Sequence, residues 1–315
     1  MSRVLACATL AVVLSFDGHA QQQPPAFKGA SELVRIYATV TDRDGRLVTT
    51  LTRDAFEIRD EGKPQPITQF DSTAQPIRLI ELLDVSGSME GNLPLLRAAS
   101  DALFARLRSD DRVKVGSFGA EIHISPEFTK DLTEIRAALP RLIQPDAPTP
   151  LWRAIDEAID AFSDADDTRR VIIVLTDGKD TGPLSFRERP HSQSEVIDHA
   201  RSKDVMIYGV AMRSRSRQPK SPGVGPGGLQ AMLNADLPDP GLARVAEETG
   251  GGYLEIRFGE DLGPAFAGVA DELHLQYLLG YDPPRRDGKV HDVTVKVNQG
   301  GMKPRARKNY VAPKG

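Results

Sequence analysis

The stretch Pro76-Ile77-Arg78-Leu79-Ile80-Glu81-Leu82-Leu83-Asp84-Val85-Ser86-Gly87-Ser88-Met89 decides how this chain is read. Its apolar run, Leu79 to Leu83, has the length and composition of a buried strand. The run stops at an acid followed by two hydroxyls. Side chains at i, i+2 and i+4 of an extended segment point the same way, so Asp84, Ser86 and Ser88 are expected to converge on one point. Oxygen-only donors suit a hard cation, Mg²⁺ first, with Mn²⁺ or Ca²⁺ as further candidates.

Two later stretches supply company. Thr149 stands in Ala147-Pro148-Thr149-Pro150-Leu151, just ahead of a helical pattern in which Pro150 takes the first position and Thr149 the cap. Asp177 follows the apolar run Val171 to Thr176 and precedes Gly178. The order DxSxS, then a Thr, then an Asp after the next core strand resembles the metal-ion-dependent adhesion site of the von Willebrand factor type A (VWA) family. The resemblance runs roughly from Pro76 to Leu273, and all five motif positions match. It implies a doubly wound, mostly parallel, Rossmann-like α/β sheet. It also implies a cation that holds an acidic side chain of a partner protein, and a last helix, Leu262 to Leu273, that shifts on ligand binding.

The chemistry of the residues agrees with that expectation. Ligands of open α/β sheets bind beyond the carboxyl ends of the strands, near the switch in strand order. Asp84 and Asp177 end strands and Thr149 opens a helix, so all three belong at one edge. Two aspartates offset a divalent cation, and Ser86, Ser88 and Thr149 add neutral oxygens. Five donors leave about one position of an octahedral Mg²⁺ site open, which an Asp or Glu carboxylate from a partner would fill. Asp84, Ser86 and Ser88 are expected as direct ligands, with Thr149 and Asp177 direct or one water removed. Taken singly, Thr149 also reads as a plain helix cap and each aspartate as the polar end of a strand.

Length and composition bound the rest. The chain has 315 residues, 40% apolar and 27% charged, with a net charge of -4. That suits about two soluble domains and gives no electrostatic footprint for nucleic acid. Residues 1–20 read as a secretory signal. Arg3 is followed by an apolar stretch from Val4 to Phe16, too short to span a bilayer, and by Gly18-His19-Ala20 as a small-residue cleavage site. The one cysteine, Cys7, falls inside that segment, so the mature chain needs no disulfide. The expected location is secreted or periplasmic, with no membrane insertion after signal removal.

Residues 21–75 then read as β structure. Val34, Ile36, Ala38 and Val40 alternate with polar residues, and Phe56 and Ile58 do the same. Ile67 to Phe70 is expected to return as the hairpin partner across Asp60-Glu61-Gly62-Lys63. Residues 76–273 alternate strands and helices as the VWA domain. Asn92 is placed to cap a helix from about Leu93, Leu132 to Leu142 reads as helical, and Val205 to Met212 as a strand. Residues 274–315 return to β: Tyr277 to Tyr281, then Val293 to Val297, then Arg305 to Val311. Fewer than 50 residues at the N-terminus make a thin core. The N- and C-terminal strands are therefore expected to share one smaller β-sandwich, with the VWA domain inserted between them. These flanks also resemble those of bacterial secreted VWA-related proteins: Leu51 to Phe56 (LTxxxF), Asp60 to Gln65 (DEGKPQ), Tyr277 to Tyr281 (YxLGY) and Arg307 to Tyr310 (RxxY).

Enzymatic readings find little support. Ser86 and Ser88 do not sit in a GxSxG elbow, a DxD-type phosphatase needs an acid at position 86, and no HExxH or CxxC occurs. Of the histidines, only His191 falls in a loop expected near the site. The reading is a secreted binding module rather than an enzyme. The alternatives are a structural cell-envelope component whose metal only stabilises the fold, and a subunit of a chelatase or ATPase assembly. The loop at 213–238, with Arg213, Arg215, Arg217 and Lys220, is read either as a plain insertion or as a contributor to partner choice.

Overall fold

Burial on both faces makes the run Ile77–Asp84 the centre of the fold. It forms strand β5, and every residue from Leu79 to Asp84 is buried. The computed structural model describes residues 33–163, 168–182, 189–212, 239–257 and 260–314. The signal segment and the basic loop read from the sequence lie outside them. From β5 the chain runs through helix α1 (Leu93–Phe104), strands β6 (Arg112–Phe118) and β7 (Ile122–Ile124), then α2 (Leu132–Ala138) and α3 (Leu151–Asp160). Strand β8 (Arg169–Thr176), α4 (Gln193–Ser202), β9 (Val205–Met212), α5 (Pro240–Thr249), β10 (Tyr253–Ile256) and α6 (Leu262–His274) complete this part.

The six strands form one sheet in the order β10-β9-β8-β5-β6-β7, parallel except for β7. Strand alternation splits the apolar residues of β5 between two cores. Leu79 and Leu83 pack with Leu96 and Leu103 of α1 and Phe266 and Leu273 of α6. Ile80 and Leu82 pack with Leu151 and Ile155 of α3, Val196 of α4, and Leu242 and Val245 of α5. From β5 the chain crosses over α1 to β6 on one side, and later over α3 to β8 on the other. The switch in strand order therefore lies between β5 and β8, where a crevice opens past the strand ends.

The flanking strands are β1 (Val34–Thr41), β2 (Phe56–Asp60), β3 (Lys63–Gln65) and β4 (Gln69–Asp71), with β11 (Tyr277–Tyr281), β12 (Val290–Val297), β13 (Lys303–Arg305) and β14 (Asn309–Val311). They form two four-stranded antiparallel sheets, β13-β1-β11-β4 and β14-β12-β2-β3. Both sheets combine N- and C-terminal strands, as in the pairs Ile36↔Leu279 and Ile58↔Val295. Between the sheets Val34, Ile36, Phe56, Ile58, Leu279 and Val293 share one core.

The flanking motifs supply polar ties within this sandwich. Tyr277 Oη accepts from the Leu51 amide at 3.0 Å and donates to the Val48 carbonyl at 2.8 Å. Buried Asp60 accepts from Tyr281 Oη at 2.8 Å and Tyr310 Oη at 2.6 Å. Arg307 reaches out of the sandwich to Asp204, just before β9. Glu272 of α6 accepts from Thr39 Oγ1 of β1 at 2.9 Å and from Tyr208 Oη of β9 at 2.5 Å, and pairs with Arg305 of β13. These contacts tie the C-terminal end of α6 to β1, β9 and β13.

Several local readings are corrected. The hairpin partner of β2 is β3, not Ile67 to Phe70; Glu61 and Gly62 turn the chain with φ of 50° and 75°. Strand β4 instead crosses to the other sheet and pairs with β11. The single strand expected over Arg305 to Val311 is two, β13 and β14, one in each sheet. Helix α2 stops at Ala138 rather than Leu142, because Leu139 precedes Pro140 and turns extended (φ -60°, ψ 138°). Asn92 occupies the cap position of α1, but its side chain makes no capping bond.

Candidate metal centre

Asp84 is the last residue of β5, and both its oxygens are occupied. Oδ1 accepts the Ser86 amide at 2.8 Å, and Oδ2 accepts Thr176 Oγ1 at 2.5 Å. Ser86 remains extended (φ -64°, ψ 169°), and a 3₁₀ turn from Gly87 to Met89 follows. That turn, not strand alternation, brings Ser88 back beside Ser86, with the two hydroxyl oxygens 3.0 Å apart. Ser88 Oγ in turn donates to Asp177 Oδ1 at 2.6 Å. The turn packs so closely on the 140s segment that a Cβ on Gly87 would lie 1.8 Å from the Pro145 carbonyl oxygen.

Thr149 is not the helix cap. Pro150 takes that position without a side-chain bond, and α3 begins at Leu151. Thr149 is anchored through its backbone, its amide bonded to Thr181 Oγ1 at 2.9 Å and its carbonyl accepting from the Thr181 amide at 3.0 Å. Its Oγ1 faces Gly178, 3.0 Å from where a Cβ would stand. The five oxygen-bearing residues are thus linked into one edge, Asp84 to Ser86 to Ser88 to Asp177 by hydrogen bonds and Thr149 through the segment after Asp177. All are buried except Ser88, which marks the exposed mouth.

Thr176 and Asp180 hold this edge together and were not singled out from the sequence. Thr176 Oγ1 joins Asp84 to the Gly178 amide, from which it accepts at 3.0 Å. Asp180 accepts from the amides of Trp152 at 3.3 Å and Gly182 at 2.9 Å, tying the first turn of α3 to the loop after Asp177. A hydroxyl next to Asp177 and an acid three residues beyond it were the available signals. His191 does not face the edge; its Nε2 lies 3.5 Å from Asp156 of α3.

Burial dominates the electrostatics of this edge. Burial pushes the Asp84 carboxyl up to about 6, against hydrogen bonds from Ser86 and Thr176 that favour its ionised form, and the neighbouring Asp177 adds to the rise. Burial likewise raises Asp177, against its bond from Ser88. Asp177 Oδ2 is buried and has no hydrogen-bond partner. A buried acceptor left unsatisfied costs about 1–3 kcal/mol, and more when charged. Two buried carboxylates, one with an unpartnered oxygen, amid three hydroxyls form a donor set that fits a hard divalent cation.

Residues 79–179 match the family model of the von Willebrand factor type A domain. No curated protein matches the chain. Among solved structures, a von Willebrand factor type A protein from Catenulispora acidiphila is 12% identical, with TM-score 0.48, covering 91% of this chain and 76% of its own. The conserved hypothetical protein BatB from Bacteroides thetaiotaomicron is 16% identical, with TM-score 0.45, covering 62% and 98%. Proximal thread matrix protein 1 from the mussel byssus is 15% identical, with TM-score 0.43, covering 67% and 49%. With its family match, its parallel sheet and helices on both faces, the chain carries a von Willebrand factor type A domain.

Proposed function

We propose that this protein holds a partner protein through a divalent cation, Mg²⁺ first and Mn²⁺ or Ca²⁺ as alternatives, with an Asp or Glu of the partner as the incoming ligand. One observation carries the reading: Asp177 Oδ2 is buried without a partner in a cluster whose other donors are all oxygens. Asp84, Ser86, Ser88, Thr149 and Asp177 would hold the ion. The bound cation supplies positive charge that an anionic side chain can approach. The chain's own part is to keep the carboxylates desolvated and the hydroxyls fixed. Ser88, the exposed residue of the five, supports an approach of the partner from that side.

A binding module suits these residues better than an enzyme. His191, His199, His274 and His291 each face an aspartate elsewhere, which supports a site without a histidine base for Ser86 or Ser88. The leader-like N-terminal sequence supports export as the setting. Among the described residues no helix is long and apolar enough to cross a membrane.

The test is a calorimetric Mg²⁺ titration of the protein beside Asp84→Ala and Asp177→Ala, repeated with an Asp-containing peptide and its Asn counterpart. Saturable binding lost in both variants, and tightened by the Asp peptide only, supports the reading. Mg²⁺ binding that survives in both variants would sink it. Metal binding that stabilises the fold but is indifferent to every carboxylate would move the protein to a structural role.

A further inference from the structure

Helix α3 carries Asp156 and Asp160 one turn apart, and residues at i and i+4 share a helix face. That face meets α4. His199 Nδ1 lies 2.7 Å from Asp156 Oδ1, and its Nε2 lies 3.3 Å from Asp160 Oδ1. His191 Nε2 stands 3.5 Å from the other oxygen of Asp156. One donor atom each from Asp156, Asp160 and His199 falls within 4.8 Å of the others. Asp156 lies roughly 7 Å along the axis from the start of α3, and Asp160 about 6 Å further, at a helical rise of about 1.5 Å per residue. The cluster is therefore away from the Asp84 edge.

A neutral imidazole has one N–H and one acceptor nitrogen. His199 faces a carboxylate with each nitrogen, so the neutral ring would present a lone pair to an oxygen anion on one side. Either a second proton or a cation has to stand there. Two carboxylates with neutral imidazoles carry a charge of -2, which a divalent ion cancels. Imidazole with carboxylate is a borderline donor set that suits Zn²⁺, Ni²⁺ or Co²⁺, unlike the all-oxygen set at Asp84.

Local structure also fixes the donors before any ligand arrives. Ser192 and Glu195 form a reciprocal cap at the start of α4, with Ser192 accepting the Glu195 amide at 3.3 Å and Glu195 accepting the Ser192 amide at 2.9 Å. His191 immediately precedes that cap, and His199 lies two turns into the helix. Asp156, His191 and His199 have side chains only 22–28% exposed, while Asp160 is 66% exposed and gives the ion a way in.

We infer that Asp156, Asp160 and His199, with His191 as a fourth donor, form a second cation site that takes a divalent transition metal and braces α3 against α4. The experiment is a Co²⁺ titration of the full-length protein, followed by visible absorption and by competition with Zn²⁺ and Mg²⁺. The Asp84→Ala variant keeps the nitrogen-ligated Co²⁺ spectrum, Zn²⁺ displaces the Co²⁺ at near-stoichiometric amounts, and Mg²⁺ does not. His199→Ala abolishes the spectrum. Asp160→Asn, at an exposed position that leaves folding intact, weakens Co²⁺ binding at least tenfold. A Co²⁺ spectrum unchanged by both His199→Ala and Asp160→Asn would overturn the inference. So would the absence of Co²⁺ binding in Asp84→Ala, which would leave only a protonated histidine between two aspartates.

Discussion

Replacing Glu81 with Leu should stabilise this protein, and increasingly so as the pH rises. Glu81 sits mid-strand in β5, between the two apolar residues that face α1, and is fully buried. Neither carboxyl oxygen has a hydrogen-bond partner. Burial pushes the group from its ordinary 4.5 up to about 8; Ser100 opposes the rise, and the charge of Asp101 adds to it. The relief from Ser100 is limited, because its hydroxyl is directed at the Leu96 carbonyl at 3.1 Å. A carboxyl whose folded-state value is raised leaves stability intact below about 4.5 and removes it as the pH climbs towards 8, because the unfolded chain releases its proton first. At about 1.4 kcal/mol for each pH unit, the gap costs roughly 3 kcal/mol at pH 7 and about 5 kcal/mol above pH 8. Leu has nearly the volume of Glu and belongs to the surrounding core, so overpacking is a minor term. The assay is urea unfolding of wild type and Glu81→Leu from pH 5 to pH 9. The difference between the two curves isolates Glu81, since other titrating groups are common to both. The expected difference grows by several kcal/mol across that range. A difference that stays constant with pH would refute the reasoning, since Glu81 would then be ionised, or solvated, throughout.

Other expectations follow from the same contacts. Saturating Mg²⁺ should stabilise the wild type by about 3 kcal/mol at a hundredfold excess over the dissociation constant, and leave Asp177→Ala unmoved; thermal melts with and without chelator check it. Gly87→Ala should cost about 1–3 kcal/mol and weaken Mg²⁺ binding, because the added Cβ runs into the Pro145 carbonyl; equal Mg²⁺ affinity by calorimetry would count against the role given to that turn. Asp60→Ala should cost on the order of 3–5 kcal/mol, because Tyr281 and Tyr310 would lose their acceptor and His291 a partner inside the sandwich; chemical denaturation reads this directly.

Periodicity carried the sequence reading a long way. Strands β9 and β11 have the bounds read from their apolar runs. The run before Asp84 is a central strand because nothing polar but Glu81 interrupts it, and burial on both faces demands that composition. The alternation in Val34 to Val40 likewise marked a strand with one face to a core. Pairing was less legible. Gln69–Asp71 and Lys63–Gln65 are both short and polar, and only the position of β11 decides which of them closes the β2 hairpin. The break of the last segment into β13 and β14 has the same origin, since the chain passes from one sheet to the other between Arg305 and Asn309.

At the candidate site, the order of residues along the chain is enough to say which oxygens are available: an acid that ends one core strand, an acid just past another, two serines and a threonine. Their spacing is local, and local spacing survives folding. Tertiary structure decided how those oxygens meet. Ser88 arrives by a 3₁₀ turn pressed against Pro145, Thr149 is released from capping by Pro150, and Thr176 and Asp180 act across elements far apart in the chain. Such contacts are fixed by which surfaces can be buried together, and no window of neighbouring residues contains that information. The pairing of Asp156 and Asp160 with His199 is of the same kind, because two helices acquire a common cluster only when the sheet beneath them sets their distance.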